Sequence, residues 1–379
     1  MQKRYLMAPG PTPVAPETLL AMAEPIIHHR SPQFSAILAE VEEGLKFIFQ
    51  TKNEVLILVA SGTGAMEGAV TNFLSAGDKA LVVRGGKFGE RWEEICTAYG
   101  VKAITLDVEW GKSVRPERIE AALENDKAIK AVYIQAHETS TGVKHPVEAI
   151  GKIVQKYPGT ILVVDAISAL GVYDLKTDDW HIDILVSGSQ KALMLPPGLA
   201  FASVSEKAWG LNKAASLPRF YFDFAKERKS LAKNTGAYTS AVTLIIGLQQ
   251  VLRQIKALGL EAVFARNKRL SEATKAGIKA LGLKFYAEEN PSESLTAIRA
   301  PEGINGQDVV KIMGEKYGVT IAGGQAQAKG KIFRISHMGY VNEFDVIVAL
   351  SALELTLKDL GYPVDLGAGV KAAEMVFGG

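Results

Sequence analysis

The fold is decided by the stretch Ile182-Asp-Ile-Leu-Val-Ser-Gly-Ser-Gln-Lys191, together with Thr160-Ile-Leu-Val-Val-Asp165 before it. Each stretch begins with a short apolar run rich in β-branched residues, which predicts a strand buried in a parallel sheet. Each run carries one polar residue at or just beyond its carboxyl end, Asp165 and Lys191. Open α/β sheets form their ligand sites at this end of the strands. We therefore expect the carboxylate and the amine to face one site.

Composition excludes several classes of function. The 379 residues include 43 basic and 41 acidic side chains, a net charge of +2, which provides no global field for nucleic acid or an anionic membrane. The single cysteine, Cys96, excludes an intrachain disulfide and a zinc-ribbon site, so no metal is predicted. Apolar runs fall short of the roughly 18 residues that span a bilayer, and the N-terminus lacks the apolar core of a signal peptide. A cytoplasmic protein is expected.

Strands alternate with helices from residue 17 to about 250, which predicts an α/β domain with a mostly parallel, seven-stranded sheet covered by helices. The predicted strands are Val55–Ala60, Lys79–Val83, Lys102–Leu106, Ala131–Ile134, Ile161–Val164, Ile184–Ser187 and Leu199–Ser203. The predicted helices are Pro32–Phe49, Gly64–Phe73, Phe88–Tyr99, Pro116–Asn125 and Val147–Tyr157.

The two ends of the chain differ from this pattern. Residues 1–16 are rich in proline and glycine, which predicts an extended arm. A long helical pattern from Thr243 to Leu281, broken near Gly259, leads into a smaller α+β domain over residues 251–379. Its predicted elements are the strand Leu295–Arg299, the helix Asn305–Tyr317, the strand Lys331–Ser336 and the helix Glu343–Leu360. The segment after Pro363 is either a short docked helix or a loose tail.

A lysine and a carboxylate presented in this way suit pyridoxal phosphate, which needs a lysine for its Schiff base and an acid facing its ring nitrogen. Taken singly, each residue is more often a solvated lysine or an ordinary strand-end acid. The run from Val55 to Thr63 adds a strand, a glycine turn and a helix start, where backbone N–H groups bind anions. A plain helix cap explains Ser61 or Thr63 equally well. The run lacks the Walker lysine and the dinucleotide glycine spacing, which favours a compact phosphate monoester.

Other residues are candidates for contacts with the same group. Ser189 and Gln190, beside the lysine, are candidate phosphate donors. Phe88 is a candidate stacking face for a ring, although a core phenylalanine is at least as common at a helix start. The Thr139 hydroxyl is a candidate donor to a phenolic oxygen, or else stabilises a turn. His137 beside it is more often structural.

The motifs taken together resemble the class V aminotransferases of fold type I. The likeness is greatest to the alanine/serine–glyoxylate (or pyruvate) aminotransferases and to related bacterial and archaeal aspartate aminotransferases. It covers nearly the whole chain and rests on the following motifs: Pro9-Gly-Pro11, His28-His-Arg-Ser-Pro32, Ser61-Gly-Thr-Gly, Glu138-Thr-Ser-Thr-Gly142, Asp165, Ser187-Gly-Ser-Gln-Lys191-Ala, Pro196-Pro-Gly198 and Phe333-Arg-Ile-Ser-His-Met-Gly339. The combination of Ser-Gly-Ser-Gln-Lys with Pro-Pro-Gly is the most specific of them.

The resemblance implies a role for each matching residue. Lys191 forms the Schiff base and then moves the α-proton, while Asp165 pairs with the ring nitrogen. Arg334 binds the substrate α-carboxylate, because the planar guanidinium group can bind both carboxylate oxygens at once. Gly10 lines the substrate site. The remaining cofactor contacts are Ser61, Gly62, Thr63 and Gln190 at the phosphate, Phe88 and Ile167 on the two ring faces, Thr139 at the phenolic oxygen, and Thr239 from the partner subunit of a homodimer.

The implied reaction moves the amino group of serine or alanine to glyoxylate or pyruvate in ping-pong order. An aspartate aminotransferase of the same class is the alternative, and it needs a second cation, for which Arg30, Lys87 and Lys329 are candidates. A cysteine desulfurase needs a reactive thiol, but Cys96 lies in a predicted helix. A non-catalytic subunit of a soluble hydrogenase is the least favoured, because the cysteines of an iron–sulfur or nickel site are missing.

Overall fold

The structure, a computed structural model, describes residues 3–379. The strands, in chain order, are β1 (Tyr5–Leu6), β2 (Val55–Leu58), β3 (Lys79–Arg84), β4 (Lys102–Asp107), β5 (Ile129–Gln135), β6 (His137–Glu138), β7 (Val143–Lys144), β8 (Ile161–Asp165), β9 (Ile184–Gly188), β10 (Ala200–Val204), β11 (Leu295–Arg299), β12 (Val319–Thr320), β13 (Ala322–Gly323) and β14 (Ile332–Ser336).

The α-helices of the same residues are α1 (Pro16–Met22), α2 (Pro32–Phe49), α3 (Gly62–Thr71), α4 (Lys87–Ala98), α5 (Pro116–Asn125), α6 (Val147–Val154), α7 (Glu206–Asn212), α8 (Phe224–Leu231), α9 (Val242–Leu258), α10 (Leu260–Ala280), α11 (Gly306–Glu315), α12 (Glu343–Asp359) and α13 (Ala368–Gly378). No helix within residues 3–379 is both long enough and apolar enough to cross a membrane.

The large sheet has seven strands in the order β2-β10-β9-β8-β5-β3-β4. Strand β10 runs antiparallel to β2 and β9, and the other neighbouring pairs are parallel. The predicted α/β fold with a mostly parallel seven-stranded sheet is therefore confirmed. Strands β8 and β9 are parallel neighbours, with Asp165 opposite Val186. This pairing brings the carboxyl end of β8 next to the loop that carries Lys191.

Several predicted boundaries are wrong by a few residues, and three of them have a clear local reason. The helix predicted from Gly64 begins at Gly62, because Ser61 already has the extended backbone of an N-cap. The strand predicted to reach Ala60 ends at Leu58, where the chain turns and the Ala60 N–H donates to the Leu58 carbonyl. The helix predicted to reach Tyr157 ends at Val154, ahead of Pro158, because a residue before proline avoids helical backbone.

The long helical pattern is broken where predicted, since α9 and α10 meet at Gly259, whose φ is 81°. The tail left open by the sequence forms helix α13, which packs on α10 and α12. Strands β11, β14 and β13 form a second, antiparallel sheet.

Buried apolar side chains fall into two large clusters, besides a third that contains only Val172, Ala192 and Met338. One is built from residues 34–255, and the other from residues 270–373 together with Met7. Strand β1 pairs with β12, so the N-terminal segment is attached to the C-terminal unit. These clusters support the proposed division into an arm (1–16), a large domain (17–250) and a small domain (251–379), although helix α9 runs across the proposed boundary at residue 250.

Candidate active site

Lys191 lies three residues beyond the end of β9 and contacts the N-terminal segment. Its Nζ donates to the Pro9 carbonyl at 2.5 Å, and its own carbonyl accepts the Thr12 hydroxyl at 2.7 Å. Burial lowers the pKa of Lys191 to about 8; the Asp165 charge opposes this shift and the Arg334 charge adds to it. At neutral pH the neutral fraction of this amine is therefore larger than that of an exposed lysine, and the neutral form is the one that acts as a nucleophile or a base.

Asp165 is the last residue of β8 and is 4% exposed. One carboxylate oxygen accepts the Ile167 N–H at 2.8 Å. Burial raises the pKa of Asp165 to about 7, because desolvation disfavours the charged form more than this hydrogen bond supports it. A cationic group placed opposite this carboxylate would supply the charge partner that the buried acid lacks.

The start of helix α3 offers donors for an anion. Ser61 has N-cap backbone, but its hydroxyl makes no capping hydrogen bond. A Cβ on Gly188 would lie 3.0 Å from Gln190 Oε1 and 3.4 Å from the Gly62 nitrogen, which locates the Gln190 amide close to the start of α3. Gln190 Oε1 is buried without a hydrogen-bond partner in the described part of the chain. Turning this amide about its terminal bond directs its NH2 group to the same place, and an N–H donor beside a helix N-terminus fits a phosphate contact.

Gly62 and Ile167 are in close contact. A Cβ on Gly62 would collide with the end of the Ile167 side chain, so a larger residue here would force the isoleucine to move. Because Ile167 is two residues from Asp165, the glycine turn and the acid lie on two sides of one isoleucine. That Ile167 lies under a ring whose phosphate is held at α3 stays a prediction.

Phe88 is the second residue of helix α4. The Arg91 guanidinium lies over its ring at 4.9 Å and also donates to the Thr63 hydroxyl at 3.2 Å. The side chain of Thr63 is therefore directed toward α4. Arg91 was not predicted from the sequence as a site residue. Its charge lowers the pKa of both Asp165 and Lys191, so we include it in the candidate site.

Glu138 connects the start of α4 to the loop that carries Thr139. Its buried carboxylate accepts the Phe88 N–H at 3.1 Å, the Gly89 N–H at 3.0 Å and the Ser140 hydroxyl at 2.6 Å. Burial raises the pKa of Glu138, and these donors oppose the shift. The only sequence signal for this role was its position next to Thr139 in a quoted motif. Glu138 fixes the position of the Phe88 backbone.

Arg334 lies on strand β14 and is 5% exposed. Its Nε and Nη2 donate to the Gly323 carbonyl at 3.1 and 2.7 Å, and its Nη1 donates to the Thr139 carbonyl at 2.8 Å. A guanidinium has five N–H donors, so one on Nη1 and one on Nη2 remain. Burial lowers the pKa of Arg334 to about 10, which leaves it cationic at neutral pH. The remaining pair suits end-on, bidentate binding of a carboxylate.

One suggested donor is wrong. The Ser189 hydroxyl donates to the Pro196 carbonyl at 2.7 Å and accepts the Leu199 N–H at 3.2 Å, and the residue is fully buried. Ser189 therefore holds the loop after Lys191 in shape and is not available to a phosphate. Thr239 lies between helices α8 and α9, where it lines a cavity that also includes Val59 and Tyr221.

The candidate second cations differ in their surroundings. Lys87 forms ion pairs with Glu90 at 2.8 Å and Glu94 at 3.4 Å on the surface of α4. Arg30 and Lys329 are exposed. None of these three is therefore buried beside Lys191, whereas Arg91 is coupled to it electrostatically.

Comparison with known proteins identifies the class. The family model described as aminotransferase class-V matches residues 4–348, and the chain belongs to that family. It is a transaminase, and the cofactor of this family is pyridoxal 5′-phosphate. The residues described above fit that group, since they combine a side-chain amide beside the start of α3, a glycine in contact with Ile167, a buried acid and a buried lysine.

Three relatives align with nearly the whole chain. A protein named soluble hydrogenase, small subunit, from Synechococcus sp. is 46% identical over 99% of this chain and 98% of its own length. An L-aspartate–glyoxylate aminotransferase from Paracoccus denitrificans is 39% identical over 97% of this chain and 95% of its own. A serine–glyoxylate aminotransferase from Methylorubrum extorquens is 36% identical over 98% of this chain and 95% of its own.

A solved structure has the same fold. The ureidoglycine–glyoxylate aminotransferase of Bacillus subtilis superimposes with a TM-score of 0.96 at 30% identity, over 100% of this chain and 99% of that chain. The fold type I assignment predicted from the motifs is therefore confirmed.

Proposed function

We propose that this transaminase moves the amino group of a small amino acid, serine or alanine, to glyoxylate or pyruvate in two half-reactions of a ping-pong sequence. The observation that carries the proposal is the pair of N–H groups left on Arg334 within a site that also contains Lys191, an amine whose pKa is lowered by burial. Together these groups can hold an α-carboxylate and accept the α-proton of the same molecule.

The residues divide the work as follows. Arg334 binds and orients the substrate carboxylate, and Gly10 closes the site over the lysine. Lys191 accepts the α-proton at Nζ and returns it later. Asp165 keeps the ring nitrogen protonated; when bound, the cofactor supplies the electron sink that stabilises the carbanion. Ser61, Gly62, Thr63 and Gln190 are proposed to hold the phosphate, and Phe88, Ile167 and Thr139 the ring.

Aspartate as the donor is the second candidate, and Arg91 favours it. Arg91 is a partly buried cation whose charge lowers the pKa of both Lys191 and Asp165. Its guanidinium donates one hydrogen bond, to the Thr63 hydroxyl. A side-chain carboxylate needs such a cation. The Paracoccus relative is named for aspartate and the Methylorubrum relative for serine, so the relatives support both donors.

We also propose a homodimer that shares its active sites, with Thr239 of each subunit reaching the phosphate held by the other. The proposal follows from the family resemblance. Within the subunit, the loop that carries Thr239 is held in place by the Ala237 N–H, which donates to the Glu227 carboxylate at 3.1 Å.

A role as a non-catalytic hydrogenase subunit is not favoured, despite the name of the Synechococcus relative. Residues 3–379 contain no group of three or more histidine, cysteine or acidic side chains arranged to hold a metal ion. Cys96 is buried in α4, and burial raises the pKa of its thiol to about 12, as for an inert core residue. The same observation argues against a desulfurase.

The test is a donor panel with glyoxylate or pyruvate as the acceptor. We expect kcat/KM for serine or alanine to exceed that for aspartate, and Arg91→Gln to change the small donors little. A higher kcat/KM for aspartate, lost specifically in Arg91→Gln, would establish the second candidate. No transfer from any of the three donors by the cofactor-loaded protein would refute both.

A further inference from the structure

Three buried polar side chains form a hydrogen-bonded row behind Thr139. His137 Nδ1 lies 3.3 Å from the Ser168 carbonyl oxygen and 3.0 Å from Ser168 Oγ. Ser168 Oγ lies 2.5 Å from Thr139 Oγ1. The three residues are at most 5% exposed, so the row is shielded from solvent. Ser168 is three residues beyond Asp165, and His137 and Thr139 flank Glu138.

The protonation state of His137 is set by its surroundings. Burial lowers the pKa of His137 to about 3, and the charges of Lys191 and Arg334 act in the same direction, so the ring is neutral. A neutral imidazole carries one hydrogen, on Nδ1 or on Nε2. Nε2 is buried and has no partner among the described residues.

The Ser168 carbonyl decides between the two tautomers. A carbonyl oxygen only accepts, and this one already accepts the Ser294 hydroxyl at 2.5 Å. A hydrogen on Nδ1 satisfies the contact with that oxygen. A hydrogen on Nε2 would leave a buried donor without a partner and set the Nδ1 lone pair against the carbonyl, which is the more costly arrangement. Nδ1 therefore carries the hydrogen.

The direction of the row follows from this tautomer. Ser168 Oγ accepts from His137 Nδ1–H, so its own hydrogen is directed to its other neighbour, Thr139 Oγ1. Thr139 Oγ1 then accepts inside the row, and its hydrogen remains available to point away from Ser168. If the His137 hydrogen were on Nε2 instead, Ser168 would donate to His137 and Thr139 would donate to Ser168, so both hydrogen bonds would run in the opposite direction.

We infer that His137 and Ser168 are positioning residues that fix the Thr139 hydroxyl as a hydrogen-bond donor toward an anionic oxygen on the bound ring. The inference rests on the proposed function for the location of the ring. The row itself depends only on this chain. His137 and Ser168 reach the ring only through Thr139, so their expected effect is on how the phenolic oxygen of the cofactor is held.

The experiment has two readouts. The first is the ¹⁵N resonances of His137 in the full-length protein without cofactor, assigned by comparison with His137→Gln. We expect the Nδ1–H form; an Nε2–H form would overturn the inference. This readout needs neither activity nor cofactor, so it remains decisive if Ser168→Ala fails to fold.

The second readout is cofactor affinity in Ser168→Ala, with Ser203→Ala as the control. Ser203 is also a buried serine of the large domain, on β10, and its hydroxyl has no described partner. We expect Ser168→Ala to weaken pyridoxal phosphate about tenfold, and to weaken an analogue lacking the ring hydroxyl less than twofold. Equal losses for both ligands, or none, would overturn the inference. Failure of the wild-type protein to bind pyridoxal phosphate would instead refute the proposed function.

Discussion

Gly10 and Lys191 are packed so closely that a Cβ on Gly10 would collide with the lysine Nζ. The Gly10 backbone has a φ of 144°, in the region that favours glycine. The N-terminal segment therefore passes directly over the amine, and Pro9 beside it accepts the Nζ hydrogen. The segment is attached to both proposed domains, because Thr12 bonds to Lys191 of the large domain and Met7 bonds to Thr320 and Ser336 of the small domain.

Gly10→Ala tests this contact. The added methyl displaces the amine and strains the backbone, so we expect kcat/KM to fall by at least about a hundredfold. The control is Gly159→Ala, at an exposed position with open space around the added Cβ. Steady-state kinetics on both variants, with circular dichroism to verify folding, would check this. Full activity in Gly10→Ala would show that catalysis does not depend on the close contact between Gly10 and the Lys191 amine.

Arg334→Ala tests the substrate fork. Loss of a charge-assisted carboxylate contact should raise the KM for the amino acid about a hundredfold. The control is Arg299→Ala on the neighbouring strand β11, where the arginine is exposed and pairs with Glu288 at 2.9 Å. An unchanged KM in Arg334→Ala would remove this residue from the substrate site.

The lowered pKa of Lys191 predicts the pH dependence of cofactor attachment. Only the neutral amine attacks an aldehyde, so the attachment rate should rise with pH and reach half its maximum near pH 8. An exposed lysine would titrate near pH 10.4. Since the Asp165 charge raises the pKa of Lys191, Asp165→Asn should shift the profile to lower pH. Stopped-flow absorbance across pH 6–10 measures both. A wild-type midpoint near that of a free lysine would contradict the burial argument.

Thr239→Ala tests the shared site. Removing one hydroxyl from a phosphate contact should weaken cofactor binding about tenfold without changing the oligomer. Thr105→Ala, at an exposed position of β4, is the control. The affinity of the wild-type protein should also fall on dilution, once the dimer separates. Equal affinity in the two variants would leave Thr239 outside the site.

Much of the fold could be predicted, because its signals are local. The bounds of α2 and α5 match the prediction, since each begins at a proline that is tolerated only in the first turn of a helix. The antiparallel direction of β10 could not be predicted, because a buried apolar strand has the same composition in either direction. Short elements such as β12 and β13 have too few residues to show a period.

The site divides in the same way. Lys191 and Asp165 could be predicted as a pair because Asp165 ends strand β8 and Lys191 follows strand β9. The shared direction of these strands puts both residues at the same edge of the sheet. Glu138 and Arg91 acquire their roles from residues 50 and 28 positions away, Phe88 and Thr63 respectively, and no local pattern shows such contacts. Ser189 was predicted to be a phosphate donor because its hydroxyl is next to Lys191 in the sequence. The sequence does not show that this hydroxyl donates to the Pro196 carbonyl instead.

The central claim is that Lys191 carries pyridoxal phosphate and performs transamination. The most direct test is the visible absorption spectrum of the cofactor-loaded protein before and after L-serine is added without a keto acid. We predict a yellow band that bleaches on adding serine and returns with glyoxylate, and no such band in Lys191→Ala. A band that persists in Lys191→Ala, or no band in the wild-type protein after incubation with pyridoxal phosphate, would contradict the claim.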